Sequence, residues 1–197
     1  VVYASYLDAL KVNPDEVKST ADIPFLPISF FKSHQIQSGS FSPNKVFTSS
    51  GTSSKLTSKQ YVEDLSVYEL SCDLAFKNMY GPVGEYCVLE CTGSSLIYMA
   101  ERMIEQSEDD ESGFYLDNLE KLNEVLLKKT GANKKTLLLG VSFALLDFAE
   151  RFQLPESDKL VVMETGGMKG RRKEMIRKEL HGVLAPKFGV KEIHSEY

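Results

Sequence analysis

Residues 136–163 read TLLLGVSFALLDFAERFQLPESDKLVVM, and the fold class turns on this stretch. Thr136–Val141 is a short apolar run with no polar alternation, the pattern of a strand buried on both faces. Phe143–Phe152 then shows helical spacing, and Pro155 follows it. Leu160–Met163 is a second short apolar run. Strand, helix and strand within so short a span form a crossover unit of a parallel sheet.

The same rhythm continues on both sides. Downstream, Gly166-Gly167 marks a turn. Arg171–Ala185 reads as a long amphipathic helix with Ile176, Leu180, Val183 and Leu184 inward. Pro186 and Gly189 close it, and Val190–His194 reads as a last strand. Upstream, Leu116–Lys129 is helical and is closed by Gly131. Residues 107–112 form a polar, acidic loop, Leu96–Gln106 a helix and Tyr86–Cys91 a strand. Before them Tyr61, Leu65, Tyr68, Cys72, Ala75, Phe76 and Met79 share one helical face. Thr57-x-x-Gln60 offers that helix a capping box, and Gly81-Pro82 ends it. Val46-Phe47 is a short strand.

Strand–helix alternation repeated about five times predicts an α/β domain with a mainly parallel sheet flanked by helices. This domain is expected to occupy residues 45–197. Residues 1–44 are expected to be a helical and irregular segment packing on it. Val2, Tyr6, Ala9 and Leu10 give a loose helical pattern there. Pro24, Pro27 and Pro43 forbid a long helix. The Phe25–Phe31 run is expected to clamp onto a core.

Composition narrows the function. The 197 residues carry 23 basic and 28 acidic side chains, a net charge of −5, with 42% hydrophobic and 26% charged residues. Such values fit a globular domain and argue against disorder and coiled coils. The acidic balance argues against a general nucleic-acid partner. No apolar stretch approaches the roughly 18–20 residues of a membrane span. No signal peptide is visible, and the 3 cysteines do not make a disulfide framework. A cytoplasmic setting is the simplest expectation. The chain opens Val1-Val2-Tyr3 without an initiator Met and stops at Tyr197, so both ends read as cut.

Two loops are expected at the carboxyl edge of the sheet, where α/β domains bind ligands. Thr48-Ser49-Ser50-Gly51-Thr52-Ser53-Ser54-Lys55 could wrap a phosphate with hydroxyls, backbone N–H groups and a lysine. It lacks the Walker pattern, and a solvated loop capping the next helix is the plainer alternative. Glu164-Thr165-Gly166-Gly167-Met168-Lys169-Gly170-Arg171-Arg172-Lys173 combines two glycines with a basic cluster at a predicted helix start. Cations there oppose the helix dipole, so an anionic ligand, an acidic neighbour or a partner surface is expected nearby.

Other reactive side chains give less. His194 could be a base or a ligand, or simply a satisfied histidine at a sheet edge. His34 and His181 lie in unrelated settings. Cys72, Cys87 and Cys91 read as small core residues. Glu105 and residues 108–111 read as a solvated acidic loop. No metal-ligand spacing and no nucleophile elbow occur.

Four stretches carry a resemblance: residues 23–32, Phe47 through Ser54, residues 163–172, and Ile193-His194-Ser195-Glu196-Tyr197. The Ser/Thr loop resembles the phosphate loop of adenylate-forming enzymes, the acyl-CoA synthetase-like superfamily. The four in order resemble the LuxE-type acyl-protein synthetase family. The resemblance implies a part of that family's N-terminal domain. It implies a two-step reaction with ATP and Mg²⁺: a carboxylic acid, first of all a fatty acid, becomes an acyl-adenylate and then passes to a protein thiol.

By this resemblance Thr48, Ser49, Ser50, Gly51, Thr52 and Ser53 would hold the ATP phosphates, with Lys55 nearby. Thr165, Gly166 and Gly167 would line the adenine and acyl pocket. Tyr197 would open the family's Tyr-Gly-x-Thr-Glu motif and pack on the adenine. The catalytic residues and the Mg²⁺-binding glutamate would follow Tyr197, so the chain holds no metal site and is expected to be inactive alone. Ser54 stands where the family has glycine, and the following Pro-Lys is missing. An acyl- or aryl-CoA ligase on the same fold is one alternative. A non-catalytic nucleotide-binding or interaction module is another.

Overall fold

A computed structural model of the chain describes residues 2–49, 57–91, 96–116, 118–168 and 170–196. They divide into two compact units, Val1–Val67 and Tyr68–Tyr197.

The first unit contains helix α1 (Val2–Leu10), two short 3-10 turns at Pro14–Glu16 and Thr20–Asp22, and one helical turn, α2 (Phe30–Ser33). A hairpin follows, made of β1 (Lys45–Thr48) and β2 (Lys59–Val62). The two strands are antiparallel, with Val46 opposite Tyr61 and Thr48 opposite Lys59. Tyr6 meets Phe30 edge-on, and Phe30 stacks on His34. None of its described residues is buried. Phe25 is 92% exposed and Ile28 78% exposed.

The hairpin corrects two expectations. The segment from Tyr61 is not yet helix: Lys59–Val62 pairs with β1, and helix α3 spans Ser66–Tyr80. Gln60 is therefore a strand residue, not part of a capping box. Asp64 accepts the Ser66 N–H at 2.9 Å where the helix begins. Nor does the 48–56 loop leave a strand of the parallel sheet, because β1 pairs only within the hairpin.

The second unit bears out the α/β reading. Its strands are β3 (Cys87–Glu90), β4 (Gly113–Phe114), β5 (Thr136–Gly140), β6 (Leu160–Glu164) and β7 (His194–Ser195). The order is β4-β3-β5-β6-β7, and every pairing is parallel. Between them lie α4 (Ile97–Gln106), α5 (Leu119–Gly131), α6 (Ser142–Arg151) and α7 (Arg177–Phe188).

Both sheet faces are covered, which is why the strands are continuously apolar. Leu89, Leu138 and Val162 point into a core with Leu122 and Leu126 of α5, Phe148 of α6, and Leu184 and Phe188 of α7. Val88, Leu137, Leu139 and Met163 point the other way, against Phe76 of α3 and Met99, Ala100 and Met103 of α4. Each leucine so buried contributes about 1.5–3 kcal/mol relative to an exposed one.

Two glycines are fixed by this packing. A Cβ on Gly140 would stand 2.5 Å from Cys91 Sγ and 2.9 Å from Leu145 Cδ2. Gly189 ends α7 at φ +64°, where a Cβ would overlap the Pro155 carbonyl. The last helix is shorter at its start than its periodicity predicts, opening at Arg177 instead of Arg171. It also runs past Pro186, which lies in its last turn.

The acidic loop is not simply solvated. Asp109 and Glu111 both engage Lys129 of α5, a side chain that is itself buried. Strand β4 follows directly, a two-residue element whose pairing to β3 leaves no local sequence pattern.

Candidate functional site at the carboxyl edge of the sheet

Gly140, Glu164 and Ser195 stand side by side at the ends of β5, β6 and β7. The pairing continues past them: the Thr165 N–H donates to the Gly140 carbonyl and the Glu196 N–H to the Glu164 carbonyl. This is the edge from which ligand-binding loops leave a parallel sheet.

Glu164 is the centre of the edge. Its side chain is only 3% exposed. Oε2 accepts the Gly166 N–H at 2.7 Å and the Ser142 hydroxyl at 3.1 Å, while Oε1 accepts the Ser195 hydroxyl at 2.7 Å. His181 Nε2 and Arg177 Nε of α7 lie 3.6 and 3.7 Å from Oε1. Burial pushes the Glu164 pKa up, but the hydrogen bonds from Ser195, Gly166 and Ser142 outweigh it. The carboxyl therefore titrates below its ordinary value.

The loop beyond is pinned at both ends. Glu164 anchors one side, and Met168, 2% exposed, is buried in the α5–α7 core on the other. Between them Gly166 and Gly167 take φ of +71° and +89°, a region that favours glycine. Gly167 is exposed. The corner thus presents bare backbone that a flat or anionic ligand can approach closely. Thr165 Oγ1 is buried and has no hydrogen-bond partner among the described residues.

The basic cluster has an acidic neighbour. Arg172 pairs with Asp147 and with Glu150 of α6, its Nη2 standing 2.7 Å from Glu150 Oε2. Arg171 lies over the Phe143 ring, 4.7 Å from its centre. Since α7 starts at Arg177, these cations do not sit at its N-terminus.

The histidines divide. His194 Nδ1 and the Tyr80 hydroxyl are 2.9 Å apart and their rings meet edge-on, the satisfied edge histidine. His181, read from the sequence as lying in an unrelated setting, instead belongs to the Glu164 cluster.

The predicted residues thus fall in two places. Thr165, Gly166 and Gly167 are on the carboxyl edge of the second unit. Thr48 and Ser49 are in the hairpin of the first unit. There Ser49 closes the strand ends: its N–H donates to the Ser58 carbonyl, and its hydroxyl accepts the Ser58 N–H. Ser50, Gly51, Thr52, Ser53, Lys55 and Tyr197 lie outside the described residues. Sequence reasoning gave no role to Glu164, Ser142, Ser195 or His181. The available signal was an acid placed between an apolar strand and a Gly-Gly pair, with a serine directly after each neighbouring strand.

Comparison with protein-family models, curated proteins and solved structures gives no match.

Proposed function

We propose that this chain is part of an ATP-dependent, carboxylic-acid-activating enzyme of the LuxE acyl-protein synthetase type. The observation that supports it most is the Gly166–Gly167 corner at the carboxyl edge of β6. It is the stretch for which the sequence resemblance implies an adenine and acyl pocket. In this reading the acid's carboxylate attacks the α-phosphorus of ATP, pyrophosphate leaves, and a protein thiol then takes the acyl group and releases AMP.

What the chain contributes is binding and orientation. The glycine corner would offer its backbone to the adenine edge. Thr165 Oγ1, without a hydrogen-bond partner among the described residues, would find one in the ligand. Among the described residues no group of three or more His, Cys, Asp or Glu side chains could hold a metal ion. Glu164, which accepts from three N–H and O–H donors and has Arg177 and His181 beside Oε1, does not suit Mg²⁺ either. No residue described is therefore assigned to that ion.

The test is carboxylate-dependent exchange between ATP and labelled pyrophosphate, run on the full protein that carries this chain. Exchange that needs a fatty acid is expected, and its absence with every fatty and aromatic acid overturns the reading. Supplying CoA or a protein thiol to the loaded enzyme then separates the synthetase from a CoA ligase.

A further inference from the structure

Glu164 does more than end a strand. Its two oxygens gather donors from three chain segments: Ser142 after β5, Gly166 in its own loop and Ser195 on β7. Two basic side chains of α7, Arg177 and His181, stand behind them. A buried carboxylate is expensive unless it is satisfied in this way, and an apolar side chain would end the strand without that expense. The carboxylate also sits at the start of α6 through Ser142, where the helix dipole favours negative charge.

We infer that Glu164 is the positioning residue of this edge: its carboxylate sets the conformation of the Gly166–Gly167 corner and hence the backbone groups offered to a ligand. That the ligand is ATP rests on the function proposed above; the hold on the corner does not. The chemistry makes the role specific. A glutamine in this place keeps the shape but carries no charge, so the Gly166 N–H loses its charge-assisted acceptor, and an NH₂ group replaces one of the two oxygens that accept from the serine hydroxyls. An aspartate is one methylene short of spanning Gly166 and both serines.

The experiment compares wild type, E164Q and E164D in the full protein. Amide resonances and hydrogen exchange of Gly166 and Gly167 report the corner. Pyrophosphate exchange reports KM for ATP and kcat. In both variants the Gly166 amide proton is expected to move upfield and to exchange roughly tenfold faster, the loss of one charge-assisted hydrogen bond. The KM for ATP should rise, with kcat/KM falling about ten- to hundredfold. An unmoved Gly166 amide overturns the inference. So does a lowered melting temperature with unchanged KM, the sign of a merely structural role. If the wild type shows no exchange, the functional reading fails, and the amide measurement alone decides the hold on the corner. Should the Glu164 variants not fold, S142A and S195A each remove one donor and carry the same test. Both should then shift the Gly166 amide, and failure of either to do so counts against the inference.

Discussion

Lys129 Nζ lies 2.6 Å from Asp109 Oδ1 and 2.7 Å from Oδ2, and each side chain keeps only 10% of its surface exposed. Glu111 Oε2 adds a third contact at 2.9 Å. Burial pushes the Asp109 pKa up, yet the hydrogen bonds from Lys129 and the Glu111 N–H more than offset it, so it lies below the ordinary 3.8. This cluster ties the loop before β4 to α5. D109N leaves the lysine charge buried and half-paired and is expected to cost about 3–5 kcal/mol in urea unfolding at pH 7. The paired change D109L with K129M should recover most of that loss. A loss below about 1 kcal/mol in D109N would contradict the assignment.

Gly140 gives a packing test. An added methyl meets Cys91 Sγ and two side-chain carbons of Leu145, all in the closed core behind β5. G140A is expected to lose about 1–3 kcal/mol, the usual range for overpacking. Combining it with C91A removes the closest of these contacts. The double variant should therefore fall short of the sum of the two single losses, as neighbouring sites do. Strict additivity would show that the contact is not felt.

What the sequence disclosed depended on range. The apolar runs at Leu137–Leu139 and Leu160–Val162 declare a sheet covered on both faces, because burial alone dictates them. Helices α4, α5 and α6 follow from local spacing, so they are legible to within a few residues. The failures are long-range. Tyr61 and Leu65 fit a helical face, but pairing of Lys59–Val62 with β1 across the 48–58 loop overrides that spacing. Arg172 lies in a stretch with helical spacing yet turns back to Asp147 and Glu150. At the carboxyl edge the Gly-Gly corner was readable as a turn. The burial of Glu164 was not, since its donors lie 22 and 31 residues away in the chain.

The Arg172 contacts separate a structural cation from a ligand-binding one. Its carboxylate partners are roughly half exposed, so water and salt weaken the pairs. R172A is expected to lower stability by about 1 kcal/mol or less, with the loss shrinking in 0.5 M salt. ATP binding, followed by thermal shift of the full protein, should remain at the wild-type level. A clear loss of ATP binding in R172A would mean that Arg172 leaves its carboxylates for the phosphates.

Glu164 makes the fold sensitive to acid in a defined direction. Its folded pKa lies below the ordinary 4.5, so its contribution is complete above that value and is lost as pH falls through the folded one. Neighbouring Glu196 works against this trend. Loss of hydration, helped by the Glu164 charge, raises the Glu196 pKa. That carboxyl is stabilising when protonated and gives back some stability as pH falls. Arg177 and His181 face the same Oε1 atom. Urea unfolding between pH 7 and pH 3 should therefore show a steeper loss below about pH 4.5 in wild type than in E164Q, which has no carboxyl to titrate there. Asp109 contributes equally to both curves, and measuring both in an E196Q background removes the Glu196 part that the Glu164 charge influences, so the difference between them isolates Glu164. Parallel curves would mean that its carboxylate is no better satisfied folded than unfolded, and the clamp on β5, β7 and Gly166 would have no energetic content.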